Sequence, residues 1–352
     1  MPANYQAVHF GPAAQVFEPS DIYLGQVAGS LELPHAGTTT VLGHAHGDFS
    51  DEALDAALNA TMDSGIRTFF ASAIHDLSFV NGYSIEDQEP KYSRLSTQAI
   101  GQVDNSPQLL DRYGVLNTSI PAVLSHASFI SAVDMQLLRE TKQYISTTPE
   151  SEFHYSLLHA HERHTQDQTS PGVDRHFTFS CNMVGQAHLW LQTLRADSFN
   201  STLEDDLKIP YTNPMSVGQA FLLIRRNGAL ALRRPDLGII AEGAKADLVV
   251  FDGSSPNLLG WDDPFIAVTL HSNVVDISDV FVNGKFVKRD GKLTYSGYAA
   301  VRQDFLRSAR KIQSPWEEME FVSQRTNPLE FGITPYSQPR QHYVQAGPGT
   351  GY

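Results

Sequence analysis

A chain of 352 residues that is 41% hydrophobic and 18% charged has the make-up of a globular protein with a sizeable core, in a length that fits one barrel with an appended sheet. Its formal charge of −14 argues against a nucleic-acid surface, and no run of about 18 apolar residues is present to cross a membrane. One cysteine, Cys181, rules out an intramolecular disulfide framework. With no basic, apolar leader at Met1-Pro-Ala-Asn, a cytoplasmic location is expected.

The periodicity predicts a helix over Asp21 to Leu33, then a short strand Thr38 to Leu42 ending at Gly43-His44-Ala-His46. A second helix runs from Asp51 to Ser64, capped by Ser50 or Asp51 and stopped by Gly65, and leads into a β-rich run Ile66 to Ile74 ending at His75. Strand, helix, strand at this spacing is a βαβ unit, so a parallel sheet or barrel is expected. Residues 77–106 are polar without a period and read as a loop or insert. Further elements are a helix at Gln108 to Leu116, a strand at Ile120 to His126, a helix at Asp134 to Glu140, a strand at Tyr144 to Thr148 and a strand end at Ser170 to Asp174. Two long helices, Met183 to Leu194 and Met215 to Leu232, precede a β region. A helix over Tyr298 to Lys311 follows, and from Ser314 a mobile tail is expected.

The β region carries the sharpest wording in the chain. Leu237-Gly-Ile-Ile-Ala-Glu-Gly-Ala-Lys-Ala-Asp-Leu-Val-Val-Phe-Asp252 holds a buried strand at Leu248 to Phe251. Asp279-Val-Phe-Val-Asn-Gly-Lys285 is a hairpin closed on Asn283-Gly284, since both central residues of that turn take positive φ. This wording resembles the sheet that follows the barrel in the amidohydrolase superfamily, within it the cytosine-deaminase and chlorohydrolase-like branch. Gly37-Thr-Thr-Thr-Val41 with His44-Ala-His46 is similar to the family's second strand. Leu124-Ser-His-Ala-Ser128 with Leu137-Leu-Arg-Glu-Thr141 is similar to the sixth strand and its helix, and Gly172-Val-Asp174 with Phe177-Thr-Phe-Ser180 to the eighth. The resemblance implies a (β/α) TIM-type barrel over residues 1–236, a small C-terminal β-sandwich over 237–296, and a helix with a mobile tail over 297–352.

It also implies chemistry. The strand-eight aspartate of the family binds a divalent metal, zinc foremost, and shuttles a proton from the attacking water; here that position is Asp174. The plainer alternative is a loop carboxylate capping the next helix. The strand-six histidine, which contacts the substrate or the metal-bound water, is His126, against the alternative of a core histidine bonded to a backbone carbonyl. The pattern then departs from the family. Its strand-one His-x-His does not precede Gly37, where the histidines are His9 and His35, and residues 77–121 contain no histidine for the strand-five motif. The barrel therefore reads as incomplete, with open edges that the 77–106 insert or a second protomer would cover. His44 and His46, two residues apart on one strand face, are the substitute metal ligands, or a pocket-lining pair. His75 and His159 are candidate substrate contacts, the latter in His159-Ala-His-Glu-Arg-His164, whose plainer reading is a solvated helix. Glu150 reads as a loop acid and Cys181 as packing. Two functions follow. One is hydrolysis of a non-peptide C–N or C–Cl bond of a small cyclic metabolite by metal-activated water. The other is a member without metal chemistry that binds a small molecule or a partner.

Overall fold

The computed structural model describes residues 16–45, 50–72, 101–102, 107–112, 114–128, 130–155, 162–176 and 178–318. The first helix, α1 (Pro19–His35), is followed by strand β1 (Thr40–Ala45), helix α2 (Asp51–Ser64) and strand β2 (Arg67–Ser72). β1 and β2 pair in parallel, Thr40 opposite Arg67 and His44 opposite Ala71, which is the expected βαβ unit. The bounds of α2 follow from local chemistry. Ser50 accepts the Ala53 N–H at 3.1 Å, and Gly65 at φ 75° takes the left-handed turn that ends the helix.

Four more parallel strands make a second sheet: β3 (Gly101–Gln102), β4 (Ala122–Ser125), β5 (Tyr144–Thr147) and β6 (Thr169–Pro171), in sequence order. Helix α3 (Pro107–Arg112) precedes β4, α4 (Ala132–Thr141) joins β4 to β5, and α5 (Pro149–Tyr155) follows β5. Leu110, Leu116, Leu124, Ile130, Met135, Leu138 and Ile145 form the core beneath this sheet. Three expectations are corrected here. Part of the stretch read as loop, Gly101–Gln102, pairs with Ala122 and Val123. Helix α3 stops at Arg112 because Gly114 turns the chain at φ 72°. Glu150 is in the first turn of α5, not in a loop, because Pro149 starts a helix there.

Helix α6 (Met183–Asp206) runs twelve residues beyond the expected Leu194, with no glycine or proline to stop it before Pro210. The next helical stretch begins at Val217, capped by Ser216, and passes through a π turn at Leu223–Asn227. Strands β7 (Leu248–Phe251), β8 (Ile277–Val282), β9 (Lys285–Arg289) and β10 (Lys292–Leu293) form one antiparallel sheet in the order β10-β9-β8-β7. Asn283 and Gly284, at φ 50° and 77°, close the β8–β9 hairpin as expected. This is a single sheet among the described residues, where a sandwich would have two. The last helix, α7 (Tyr298–Glu318), continues through Ser314, where a mobile tail was expected, and Trp316 stacks 6.0 Å from Phe17. Helices α1, α2 and α7 share a core of Val27, Leu31, Ala60 and Val301.

Asp247 joins the parallel and antiparallel parts. Its carboxylate accepts from Arg67 Nη2 at 2.8 Å and Nε at 3.0 Å, from Thr40 Oγ1 at 3.1 Å and from the Asn283 N–H at 2.7 Å. No helix among the described residues is long and apolar enough to cross a membrane.

Candidate active site

In a parallel sheet with helical crossovers, functional side chains gather where the strands end, because the loops there converge. His126 follows β4, Thr148 follows β5, and Gly172 to Asp174 follow β6, so three adjacent strands deliver the residues of one face.

His126 sits at the centre of a three-residue turn. The Ala127 N–H donates to the Ser125 carbonyl at 2.6 Å, and His126 itself has φ 59°. Its own N–H donates to the Ser146 carbonyl of the neighbouring strand at 2.8 Å. Asp174 repeats the device: the Arg175 N–H donates to the Val173 carbonyl at 2.8 Å across Asp174, at φ 61°. Such γ-type turns hold a side-chain-bearing residue in a sparsely populated region, at a cost of about 1–3 kcal/mol each. Both candidates thus stand at strained positions that the sheet on either side over-determines.

The side chains interlock. His126 Nδ1 lies 3.0 Å from Glu152 Oε1 and 3.2 Å from Thr148 Oγ1, and Glu152 Oε1 also accepts the Thr148 N–H at 2.9 Å. The Glu152 side chain is wholly buried, while that of His126 is 30% exposed. One residue earlier on α5, Ser151 Oγ donates to Asp174 Oδ2 at 2.6 Å, and Arg175 Nε is 3.9 Å from Asp174 Oδ1. The first turn of α5 therefore holds both candidates, His126 through Glu152 and Asp174 through Ser151.

Behind Asp174, His176 lies against α1. A methyl group on Gly29 would meet the His176 ring at 2.5 Å, so only glycine admits it there. His176 Nδ1 is 3.6 Å from Glu32 Oε2, and Glu32 Oε1 accepts the Cys181 N–H at 3.3 Å. Burial pushes the Glu32 carboxyl up, but the His176 and Cys181 hydrogen bonds outweigh it and leave it below its usual value. Burial, with the Glu32 charge beside it, pushes the Cys181 thiol up to about 12, so Cys181 packs and is no nucleophile. Glu150 exchanges hydrogen bonds with Gln186, at 3.2 Å from its N–H and 2.9 Å to its Oε2. A shallow cleft beside this pair is lined by Glu150, Phe153, Asn182, Gly185, Gln186 and Leu189.

Of the other candidates, His44 is half-buried in β1, in the two-stranded sheet. His46, His75 and His159 lie outside the described residues. Among the described residues no three His, Cys, Asp or Glu side chains converge as a metal site. The donors among the described residues do not by themselves make up a zinc site, which takes three or four N, O or S ligands. Asp174 already accepts from Ser151 and has a guanidinium at its other oxygen, and His126 has one ring nitrogen against Glu152. Sequence reasoning missed Glu152, Ser151 and Thr148. The signal was there: Thr148-Pro149 after a strand starts a helix, which puts Ser151 and Glu152 in a first turn facing the neighbouring strand ends.

No family model matches the chain. It is 35% identical over 78 residues to the 5'-deoxyadenosine deaminase of Methanopyrus kandleri, a stretch covering 22% of this chain and 18% of that protein. It is 23% identical over 329 residues to the 5-methylthioadenosine/S-adenosylhomocysteine deaminase of Pelotomaculum thermopropionicum, covering 78% of this chain and 72% of that one. The first of these matches thus spans less than a fifth of its relative's length. Among solved structures, the atrazine chlorohydrolase of Arthrobacter aurescens TC1, complexed with zinc, superposes at a TM-score of 0.63 with 18% identity, over 84% of this chain and 78% of that one. That likeness gives the architecture, an α/β fold of the TIM-barrel kind. These two relatives matched in sequence are thus deaminases, and the solved structure matched in fold is a chlorohydrolase.

Proposed function

We propose that this protein is a hydrolase that cleaves a non-peptide C–N or C–Cl bond in a small cyclic molecule at the ends of β4, β5 and β6. The observation that carries the reading is the shared clamp on α5, which holds His126 at the end of β4 and Asp174 at the end of β6, on either side of β5. Asp174 is the base: water adds to the ring carbon, its proton passes to the carboxylate, and the departing amine takes that proton as the C–N bond breaks. His126 contacts the substrate, and the Glu150–Gln186 cleft receives the rest of it. The relatives support this class of chemistry by their names, deaminase and chlorohydrolase. The division into a barrel over 1–236, a β unit over 237–296 and a helical end over 297–352 belongs to the same reading.

A second reading, a small-molecule binder without hydrolysis, is favoured by one observation: Ser151 and Arg175 already engage the Asp174 carboxylate. The test separates the two. The full chain is incubated with amino- and chloro-substituted heterocycles, with and without added zinc, and ammonia and chloride are measured. Release that falls roughly 10²-fold or more in Asp174→Asn, with circular dichroism unchanged, is the expected result. Calorimetric binding of a panel member with no release by the wild type under either condition overturns hydrolysis in favour of binding. No release and no binding sinks both.

A further inference from the structure

We infer that Glu152 is the positioning residue of His126: its buried carboxylate takes the Nδ1 proton and fixes the tautomer in which Nε2 is the acceptor of the ring. The inference rests on the reading of His126 as a site residue, and it adds a defined chemical state to it. A neutral imidazole carries one proton, and which nitrogen holds it is set by the partner of the other. Glu152 Oε1, 3.0 Å from Nδ1, can only accept when ionised. Thr148 Oγ1, at 3.2 Å, can either donate or accept. If the threonine hydroxyl donated to an unprotonated Nδ1, the carboxylate would face a lone pair at hydrogen-bond distance. With the proton on Nδ1, Glu152 and Thr148 both accept from it, and no acceptor faces another.

Burial makes this arrangement hold. Burying a carboxylate costs free energy that hydrogen bonds offset, and Oε1 takes both the Thr148 N–H at 2.9 Å and the His126 ring. Thr148 and Glu152 are tied to each other a second time, by the Glu152 N–H donating to the Thr148 carbonyl at 2.8 Å. The carboxylate therefore cannot follow the ring, and the ring must orient to the carboxylate. The strained turn at His126, φ 59°, gives the backbone half of the same constraint. Together they set where the ring stands and which of its nitrogens accepts: in the neutral ring the acceptor is Nε2.

The test reads the ring, not the reaction. The full chain is labelled with nitrogen-15 at its 14 histidines, and the His126 signals are identified by their loss in His126→Asn. Above the imidazole titration, the wild type is expected to show a protonated Nδ1 and a pyridine-type Nε2. Thr148→Val, which removes the hydroxyl and keeps the N–H, leaves that pattern unchanged. Glu152→Ala loses it, with the proton moving to Nε2. A pyridine-type Nδ1 in the wild type overturns the inference, as does a switch of tautomer in Thr148→Val. If Glu152→Ala does not fold, the wild type and Thr148→Val decide alone. The expected tautomer in a chain that releases neither ammonia nor chloride leaves this inference standing and defeats the hydrolase reading, so the two fail separately.

Discussion

Replacing Asp247 with asparagine should cost about 3 kcal/mol of stability. The four acceptor sites of the carboxylate are all filled: two by Arg67, one by Thr40 and one by the Asn283 N–H. Asparagine keeps the shape but turns one oxygen into a donor, which then faces N–H or O–H groups, and it removes the charge that Arg67 neutralises. A hydrogen bond to a charged group contributes about 1.5–3 kcal/mol, and breaking a buried pair costs about 3–5 kcal/mol. The side chains are 5% and 18% exposed, so the buried end of the scale applies, reduced by what asparagine retains with Asn283. Urea unfolding of wild type and Asp247→Asn at pH 7 measures the difference. The pH dependence is a second check. Burial raises the Asp247 carboxyl, but Arg67, Asn283 and Thr40 together hold it below its usual 3.8. A depressed carboxylate contributes stability that is complete above 3.8 and disappears as pH falls through the lower folded value. The two curves should therefore converge only below about pH 4. A loss under 1 kcal/mol, or one erased by 1 M salt as for an exposed pair, would refute the argument.

Three other outcomes follow from the same geometry. Gly238 has φ 67°, and an added Cβ would lie 2.3 Å from the Arg225 carbonyl oxygen, so Gly238→Ala should lower stability by roughly 3 kcal/mol or leave the chain insoluble. Gly243, at φ 81° in open space, should lose only about 1 kcal/mol on the same change, and equal losses in thermal melts would count against the steric account. Asp174→Gly should melt above Asp174→Ala by about 1 kcal/mol, since both lose the Ser151 bond and only glycine relieves φ 61°. Cys181, 1% exposed with its thiol pushed up to about 12, should resist alkylation at pH 8 in the folded chain and react once per chain in denaturant. Rapid labelling without denaturant would contradict its burial.

What could be read from the sequence was local. Ser50 and Gly65 bound α2, Asn283-Gly284 closes its hairpin, and Leu248–Phe251 is a strand, because each signal lies within a few residues of what it controls. The C-terminal wording and the Asp174 and His126 segments carried the resemblance because each is a short run that ends in a turn. The clamp was not legible for a geometric reason. Glu150 and Glu152 stand two residues apart on α5, about 200° around the helix, so they face different neighbours. Glu150 meets Gln186 of α6, and Glu152 meets His126 after β4. Which acid meets the histidine depends on the order β4-β5-β6 and on where α5 starts, and neither is written in the residues themselves.

The positions of His126 and Asp174 are each strained and each held by the same short helix, and the two facts explain one another. A histidine or aspartate at φ near 60° would relax if its neighbours allowed, so such positions last only where other contacts outweigh the strain. Here the backbone is tied by strand bonds, His126 to Ser146 and Gly172 to Thr147 at 2.6 Å, and the side chains by Glu152 and Ser151. Gly172 lets these strands close: a Cβ there would press within 3.3 Å of Ser146 Oγ and 3.4 Å of Thr148 Cγ2. A packing defect at Gly172 should therefore disturb both candidates at once, whereas a change at Thr148 Oγ1 should disturb neither. That asymmetry follows from a clamp built on the sheet, and a pair of independent loop residues would not produce it.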